Sequence, residues 1–205
     1  MDILLHYIDL AGTFVFALSG AMLGIQKKYD IFGIFSLTAI TAIGGGVLRD
    51  LCLSATPPSG LINEEYFIAI FLAFLLSILF QNIVYSLDKA SLLFDALGLG
   101  FFAAFGANKT YAHTGSVQLS IIMGCISAVG GGCLRDILCR RTPIIFTKEI
   151  YASAAMIGAA IEVLGSSGVI SSTYSIWIAI ITCTLIRLFS LYYGLNLPTI
   201  KLKPK

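Results

Sequence analysis

One heptapeptide with three glycines, an arginine and an aspartate occurs twice in the chain. Gly-Gly-Gly-Val-Leu-Arg-Asp covers residues 44–50, and Gly-Gly-Gly-Cys-Leu-Arg-Asp covers residues 130–136. Each copy ends a long apolar run, and glycine weakens a helix by about 1 kcal/mol per residue relative to alanine. In lipid, an interrupted helix is tolerated where the freed backbone is covered by protein or faces water. The two triplets therefore predict broken or kinked helices around a packed or wet interior.

Two interpretations of the glycine triplets remain open at this level. Carbonyl groups freed by a break can line an ion path. Small residues also let helices pack closely without any transport function. Because the triplets form a related pair, each followed by Arg-Asp, the pattern favours a pore. The residues concerned are Gly44, Gly45, Gly46, Gly130, Gly131 and Gly132.

The charged residues near the triplets can form a clamp between two halves of the protein, a gate, or both. A buried arginine in lipid costs several kcal/mol unless it is paired or hydrated. Because neighbouring residues on a helix point about 100° apart, pairing within each Arg-Asp dipeptide is disfavoured. Aspartates on the preceding apolar runs are the expected partners. The residues concerned are Arg49, Asp50, Arg135, Asp136, Asp9 and Asp95.

Small hydroxyl side chains also lie near the triplets. Hydroxyl groups can replace part of the hydration shell of an ion. Serine and threonine in membrane helices also bond to their own backbone, so both roles remain open. The candidates for a pore lining are Ser19, Thr38, Thr41 and Ser127.

The composition places these residues in a membrane. Hydrophobic residues make up 58% of the chain and charged residues 12%, whereas soluble domains average about 25% charged residues. Apolar runs of about 20 residues are long enough to cross the hydrocarbon as helices. They predict one all-α transmembrane domain over residues 1–205 with seven helices, at about 4–25, 31–53, 64–86, 92–111, 117–139, 149–164 and 174–193. Glu162 and Arg187 lie in the last two runs, and we predict them at the membrane interface or between subunits.

The heptapeptide belongs to a longer internal repeat. Gly12 matches Gly98, and Tyr66 matches Tyr151 after a one-residue slip. Because each unit has an odd number of crossings, the second unit crosses the membrane in the opposite sense, as in inverted-repeat transport proteins. The predicted organisation is repeat one at about 4–87, repeat two at about 90–165, a seventh helix at about 171–195 and a tail at 196–205.

The distribution of lysine and arginine predicts the orientation, because short cytoplasmic loops are enriched in both. With the N-terminus outside, Lys109 is the main basic residue on the outer side. The C-terminal tail is then cytoplasmic. The cytoplasmic set is Lys27, Lys28, Lys89, Arg140, Arg141, Lys148, Lys201, Lys203 and Lys205.

Several functional classes find no support in the sequence. The formal net charge is +2 and the basic residues are dispersed, so we predict no nucleic-acid partner. The five cysteines and two histidines lack metal-ligand spacing. The chain also lacks a nucleophile-base arrangement, a P-loop and a dinucleotide fingerprint. We therefore predict that it is not an enzyme and has no catalytic residues, no cofactor and no metal site beyond transient monovalent cations.

The complete pattern resembles the prokaryotic branch of the trimeric intracellular cation channel (TRIC) family, which is also named a glycine transporter family. The resemblance rests on GGGxxRD in both halves and on three plus three plus one spans. It implies a homotrimer in the inner (plasma) membrane of a bacterium or archaeon, surrounded by membrane lipid. Each subunit would hold a pore for potassium or sodium ions between helices one, two, four and five. Helices two and five would bend at the triplets. We predict a potassium-permeable monovalent cation channel, and a secondary transporter of glycine or a similar small solute is the alternative.

Overall fold

The computed structural model describes residues 2–82, 90–146 and 150–195, and these residues are helical apart from short connections. A 3₁₀ turn at Ile144–Phe146 precedes the last two helices. The α-helices are α1 (Asp2–Gln26), α2 (Ile31–Cys52), α3 (Ser59–Ile62), α4 (Glu64–Leu79), α5 (Ala90–Thr114), α6 (Val117–Leu138), α7 (Ala152–Ser166) and α8 (Ser172–Tyr193).

Five helices of the described residues, α1, α2, α5, α6 and α8, are long and apolar enough to cross a membrane. The third and sixth predicted spans correspond to α4, with 16 residues, and α7, with 15. The all-helical class is therefore confirmed, with five clear apolar spans. The predicted end of the third span at residue 86, the start of the sixth at residue 149 and the tail at 196–205 lie outside the described residues.

Helix boundaries follow from local capping chemistry. The Asp30 carboxylate accepts a hydrogen bond from the Gly33 amide at 2.6 Å, and the Ser116 hydroxyl accepts one from the Leu119 amide at 3.3 Å. These side chains satisfy amides that have no partner within the first turn of α2 and α6. Helix α8 ends at Gly194, whose φ of 62° is the left-handed conformation that glycine adopts without strain.

Small residues let the first helix of each half pack closely. The Phe16 ring stacks on Phe102 with centroids 5.4 Å apart, joining α1 to α5. A Cβ atom on Gly98 would lie 2.3 Å from the Phe16 ring, so the ring occupies the space that glycine leaves. Helices α2 and α6 cross beside this pair, while α7 and α8 pack on the outer side of α5. The centre of the protein is therefore formed by α1, α2, α5 and α6.

The turn after α1 lies beside the end of α6. The Tyr29 hydroxyl donates a hydrogen bond to the Leu138 carbonyl at 3.4 Å, and Leu23, Leu37 and Cys139 form a small apolar cluster there. The end of the first span and the end of the α6 span therefore lie at the same end of the helix bundle.

Candidate functional site

The two glycine triplets meet where α2 crosses α6. A Cβ atom on Gly45 would lie 2.0 Å from the Ser127 carbonyl oxygen, and one on Gly131 would lie 2.2 Å from the Thr41 carbonyl oxygen. Both helices continue through their triplets without interruption. The expected break with freed carbonyls is therefore wrong, because the glycines are used for backbone contact while helical hydrogen bonding is retained. Bending at the triplets remains a prediction.

The third glycine of each triplet faces charged side chains instead. A Cβ atom on Gly46 would have Arg49 Nη2 as its neighbour, at 3.7 Å. A Cβ atom on Gly132 would lie 2.7 Å from the Tyr151 hydroxyl and 3.3 Å from Asp95 Oδ1. Each triplet therefore has two functions: its middle glycine permits the helix crossing, and its third glycine leaves space for a buried polar cluster.

The second-half cluster is a tightly bonded ion-pair network centred on Arg135. Its Nη1 atom donates to Asp95 Oδ1 at 2.7 Å and to Ser19 Oγ at 2.6 Å, while Nε donates to Asp136 Oδ1 at 3.0 Å. All four side chains are buried. The predicted Asp95 partner is thus confirmed. The expectation that Arg135 and Asp136 would not pair is wrong, because the long arginine side chain turns back toward its neighbour.

The first-half cluster is built around the matched residues Arg49, Asp50 and Asp9, but its arginine forms one ion pair fewer within the part of the chain that the structure describes. Arg49 Nε donates to Asp50 Oδ1 at 2.8 Å, so the neighbouring pair forms here too. Arg49 Nη1 donates to Ser127 Oγ at 3.3 Å. Asp9 accepts a hydrogen bond from the Tyr66 hydroxyl and does not form the predicted ion pair with Arg49 within the described residues. The Asp9 and Arg49 side chains instead line a cavity of about 10 Å³ beside Gly46, which is about the space that one water molecule needs.

A second cation completes each cluster. Lys109 Nζ donates to Asp50 Oδ2 at 3.0 Å, and Arg141 Nε donates to Asp136 Oδ1 at 2.9 Å. Each cluster therefore contains two carboxylates and two cations. Balanced charge is the arrangement that buried ions require, because removing an ion from water costs several kcal/mol.

The same two aspartates also bind backbone amides at matched positions. The amide of Ser59 donates to Asp50 Oδ2 at 3.2 Å, and the amide of Ile144 donates to Asp136 Oδ2 at 3.1 Å. Tyr151 donates to Asp95 at 3.3 Å, as Tyr66 does to Asp9. Sequence reasoning missed both tyrosines as site residues, although their match in the internal repeat was a signal that could have identified them.

The four predicted hydroxyls are all buried and bonded within the protein. Thr38 donates to the Ile34 carbonyl at 2.7 Å and Thr41 to the Leu37 carbonyl at 2.6 Å, which is the backbone role left open above. Ser127 and Ser19 accept from the arginines of the opposite half. The serines therefore connect the halves in this conformation, and their contact with a permeating ion stays a prediction.

Glu162 and Arg187 are not at an interface. Both side chains are fully buried. Glu162 bonds to Asn108, Ser166 and Ser175, and the Arg187 guanidinium lies 4.9 Å from the centre of the Tyr151 ring. The predicted interfacial or inter-subunit placement is therefore wrong, because both side chains point inward between packed helices.

Comparison with known proteins identifies the family. The sequence model of the family described as Glycine transporter matches residues 6–82 and 92–167. One similar solved structure is described as the structural basis for conductance through TRIC cation channels. It has a TM-score of 0.87 and 35% identity, and the match covers 98% of both chains. The chain belongs to the TRIC family. A crystal structure of the TRIC trimeric intracellular cation channel orthologue from Rhodobacter sphaeroides has a TM-score of 0.88 and 32% identity, over 94% of this chain and 99% of that one.

Membrane proteins are also found among the relatives of this TRIC chain. The UPF0126 membrane protein of Vibrio cholerae is 36% identical over 97% of this chain and 84% of its own length. The UPF0126 inner membrane protein YadS of Escherichia coli K12 is 34% identical over 97% of both chains. With five helices suited to crossing a bilayer, these relatives show that this TRIC chain is a multi-pass membrane protein.

Proposed function

We propose that this TRIC-family chain is a cation channel that conducts monovalent ions, potassium among them, through one pore in each subunit. The proposal is supported by full-length similarity, at 32–35% identity, to chains described as TRIC cation channels. The Rhodobacter sphaeroides relative is described as trimeric. By that likeness, this chain assembles as a homotrimer in membrane lipid.

The proposed path runs between α1, α2, α5 and α6, past Gly46 and Gly132. The observation that carries this placement is the pair of charge-balanced polar clusters where α2 and α6 cross. The arginine of each cluster bonds to a serine from the opposite half. The path passes beside the crossing of Gly45 and Gly131, because backbone contact leaves no space there. The cavity at Gly46 has a volume of about 10 Å³, so this part of the proposed path would have to widen before an ion could pass.

Two carboxylates give the path its proposed preference for cations. Asp9 and Asp95 occupy matched positions on α1 and α5, and both are buried. The arginines beside them are compensated by Asp50 and Asp136. A net-neutral lining with buried carboxylates favours a monovalent cation over an anion, and it lacks the dense set of oxygen ligands that holds a divalent ion tightly.

We further propose that the halves are inverted repeats, at about 4–87 and 90–165, followed by a seventh helix at about 171–195. The matched hydrogen bonds of the two clusters support this organisation, as do the two separate matches of the family model. The proposed orientation has the N-terminus outside and the C-terminus in the cytoplasm. By likeness to the Escherichia coli relative, the membrane is the inner membrane.

Transport of glycine is the second candidate, and the name of the matching family favours it. An occupied carrier would need a site large enough for the whole amino acid. The cavity between Asp9 and Arg49 has the right charges for an ammonium and a carboxylate, but its volume of about 10 Å³ is that of one water molecule. A glycine carrier would therefore need a substantial rearrangement of this site.

The decisive experiment measures both activities on one purified preparation. Planar-bilayer recording should give unitary potassium currents, and vesicles should show no saturable uptake of radiolabelled glycine. Saturable glycine uptake without unitary current would establish the carrier instead. Gly46→Val, which fills the space beside Arg49, should reduce the current, whereas Gly24→Ala on α1, where a Cβ would lie 3.3 Å from Ile34, should not.

A further inference from the structure

A carboxylate outside the proposed path has a different environment from Asp50, Asp95 and Asp136. Glu162 is fully buried between α5, α7 and α8. Asn108 Nδ2 lies 2.7 Å from its Oε1 atom and Ser166 Oγ lies 3.1 Å from the same atom. Ser175 Oγ lies 2.8 Å from Oε2. Within residues 2–82, 90–146 and 150–195, the partners of Glu162 are therefore all uncharged.

Three of the four cluster aspartates show which partners an ionised carboxylate has in this protein. Asp50, Asp95 and Asp136 each lie within 3.0 Å of an arginine or lysine nitrogen. An ionised carboxylate buried without a cation is far more costly than a neutral acid that is hydrogen-bonded. The contrast favours a neutral Glu162.

The two contacts of the Ser175 hydroxyl also favour a neutral Glu162. Ser175 Oγ lies 3.0 Å from the Ser172 carbonyl oxygen and 2.8 Å from Glu162 Oε2. A hydroxyl has one hydrogen, and a carbonyl oxygen can only accept. If Ser175 donates to Ser172, the hydrogen in its contact with Glu162 must come from Oε2. Oε1 then serves as the carbonyl end of the acid and accepts from Asn108 and Ser166.

We infer that Glu162 carries a proton in the folded protein and that Glu162, Asn108, Ser166 and Ser175 form a proton-binding site that joins α5, α7 and α8. Loss of the proton places a negative charge among neutral donors and removes the hydrogen bond from Glu162 to Ser175. The attachment of α8 to α7 is then weakened.

Charged groups on the neighbouring helices are engaged elsewhere. Lys109 on α5 bonds to Asp50, and Arg187 on α8 lies over the Tyr151 ring. The remaining titratable or charged side chains on the helices packed against α7 are Asp95, Tyr111 and His113 on α5, Cys125, Cys133, Arg135 and Asp136 on α6, and Tyr174, Cys183, Tyr192 and Tyr193 on α8. Of these, Tyr111 packs against Ala107, Ala159 and Val163, next to Glu162 in the chain. Compensation of an ionised Glu162 by a described cation is therefore not available in this conformation.

Infrared spectroscopy of the purified protein in lipid vesicles tests the inference directly. At neutral pH, the wild type should show the C=O stretch of a protonated carboxyl group, and Glu162→Gln should lose that band. Glu64→Gln is the matched control, because Glu64 is an exposed glutamate at the start of α4, so this substitution should leave the band unchanged. Identical carboxyl bands in the wild type and Glu162→Gln would overturn the inference and show an ionised carboxylate near the first turn of α8.

Ser175→Ala gives a second measurement that does not depend on the folding of Glu162→Gln. It removes the hydroxyl that accepts a hydrogen bond from the proposed carboxyl proton, so the C=O band should remain but shift in frequency. An unshifted band would contradict the assignment to Glu162.

Thermal unfolding provides a third readout: a proton held by the folded state and released on unfolding makes the wild type less stable as pH rises. Glu162→Gln should lose that slope while Glu64→Gln keeps it, and equal slopes in all three proteins would count against the site.

Discussion

The adjacent residues Gly45 and Gly46 allow a matched test of the helix crossing. Alanine at either position should gain about 1 kcal/mol of helix propensity. At Gly45, the new Cβ atom would lie 2.0 Å from the Ser127 carbonyl oxygen, so one backbone must move. Overpacking of this kind costs about 3 kcal/mol, which leaves Gly45→Ala destabilised by about 2 kcal/mol. At Gly46 the nearest atom is Arg49 Nη2 at 3.7 Å, an ordinary contact, so Gly46→Ala should be neutral or stabilised.

Thermal unfolding of the purified variants, followed by size-exclusion chromatography after heating, measures this difference. For a chain of this size, 1 kcal/mol corresponds to a shift of about 2–4 °C. Gly45→Ala should therefore unfold about 4–8 °C below the wild type, and Gly46→Ala at or slightly above it. Equal midpoints for the two variants would refute the backbone contact at the crossing. By the same reasoning, leucine at both Gly45 and Gly131 should prevent folding, because two side chains would be directed at backbone carbonyls.

Three further predictions concern the clusters and the orientation. Asp95→Asn removes an ion-pair partner of buried Arg135 and should cost about 3–5 kcal/mol, seen as loss of the folded peak in size-exclusion chromatography; an undiminished peak would contradict the pairing. Tyr151→Phe removes one neutral hydrogen bond and should cost about 1 kcal/mol, measured as a small decrease in the unfolding midpoint, and a loss as large as that of Asp95→Asn would show a greater role for the hydroxyl. In a cysteine-free background, Lys27→Cys and Ser167→Cys should react with impermeant reagents from opposite sides of the membrane, and labelling from one side would exclude the proposed orientation.

Features that depend on periodicity and on repetition could be predicted from the sequence. Apolar runs and polar breaks gave the positions of the long helices, because crossing a bilayer requires about 20 apolar residues. The repeated heptapeptide identified two of the places where charge is buried. The Asp95–Arg135 pair followed from the requirement that a buried arginine be neutralised, and the structure confirms it at 2.7 Å.

Features that depend on side-chain torsions could not be predicted in the same way. The directions of Cα–Cβ bonds on a helix argued against pairing within Arg49-Asp50, yet the guanidinium reaches Asp50 at 2.8 Å because several rotatable bonds separate it from the backbone. Lys109 was predicted only as the main basic residue on the outer side, and the sequence did not predict which carboxylate its long side chain would contact. Its ammonium group lies 2.9 Å from Asp50. Long flexible side chains thus limit what residue spacing alone can determine.

The repeated motif does not give identical clusters in the two halves. One difference arises from residues on α1 and α5, the helices that precede the motif in each half. Gly20 and Gly106 are matched in the repeat, so the residues before them, Ser19 and Phe105, occupy equivalent positions. Arg135 hydrogen-bonds to Ser19 at 2.6 Å, whereas the guanidinium of Arg49 lies 5.1 Å from the centre of the Phe105 ring.

A ring attracts a cation without fixing its direction as a hydrogen bond does. Among the described residues, Arg49 forms an ion pair only with its neighbour Asp50, whereas Arg135 forms ion pairs with both Asp136 and Asp95. The cavity also lies on the Arg49 side, between Arg49 and Asp9, while Arg135 contacts Asp95 directly. Under the proposed function, the first-half cluster should hydrate and rearrange more readily, and the network of Arg135, Asp95 and Ser19 should be the last barrier to open.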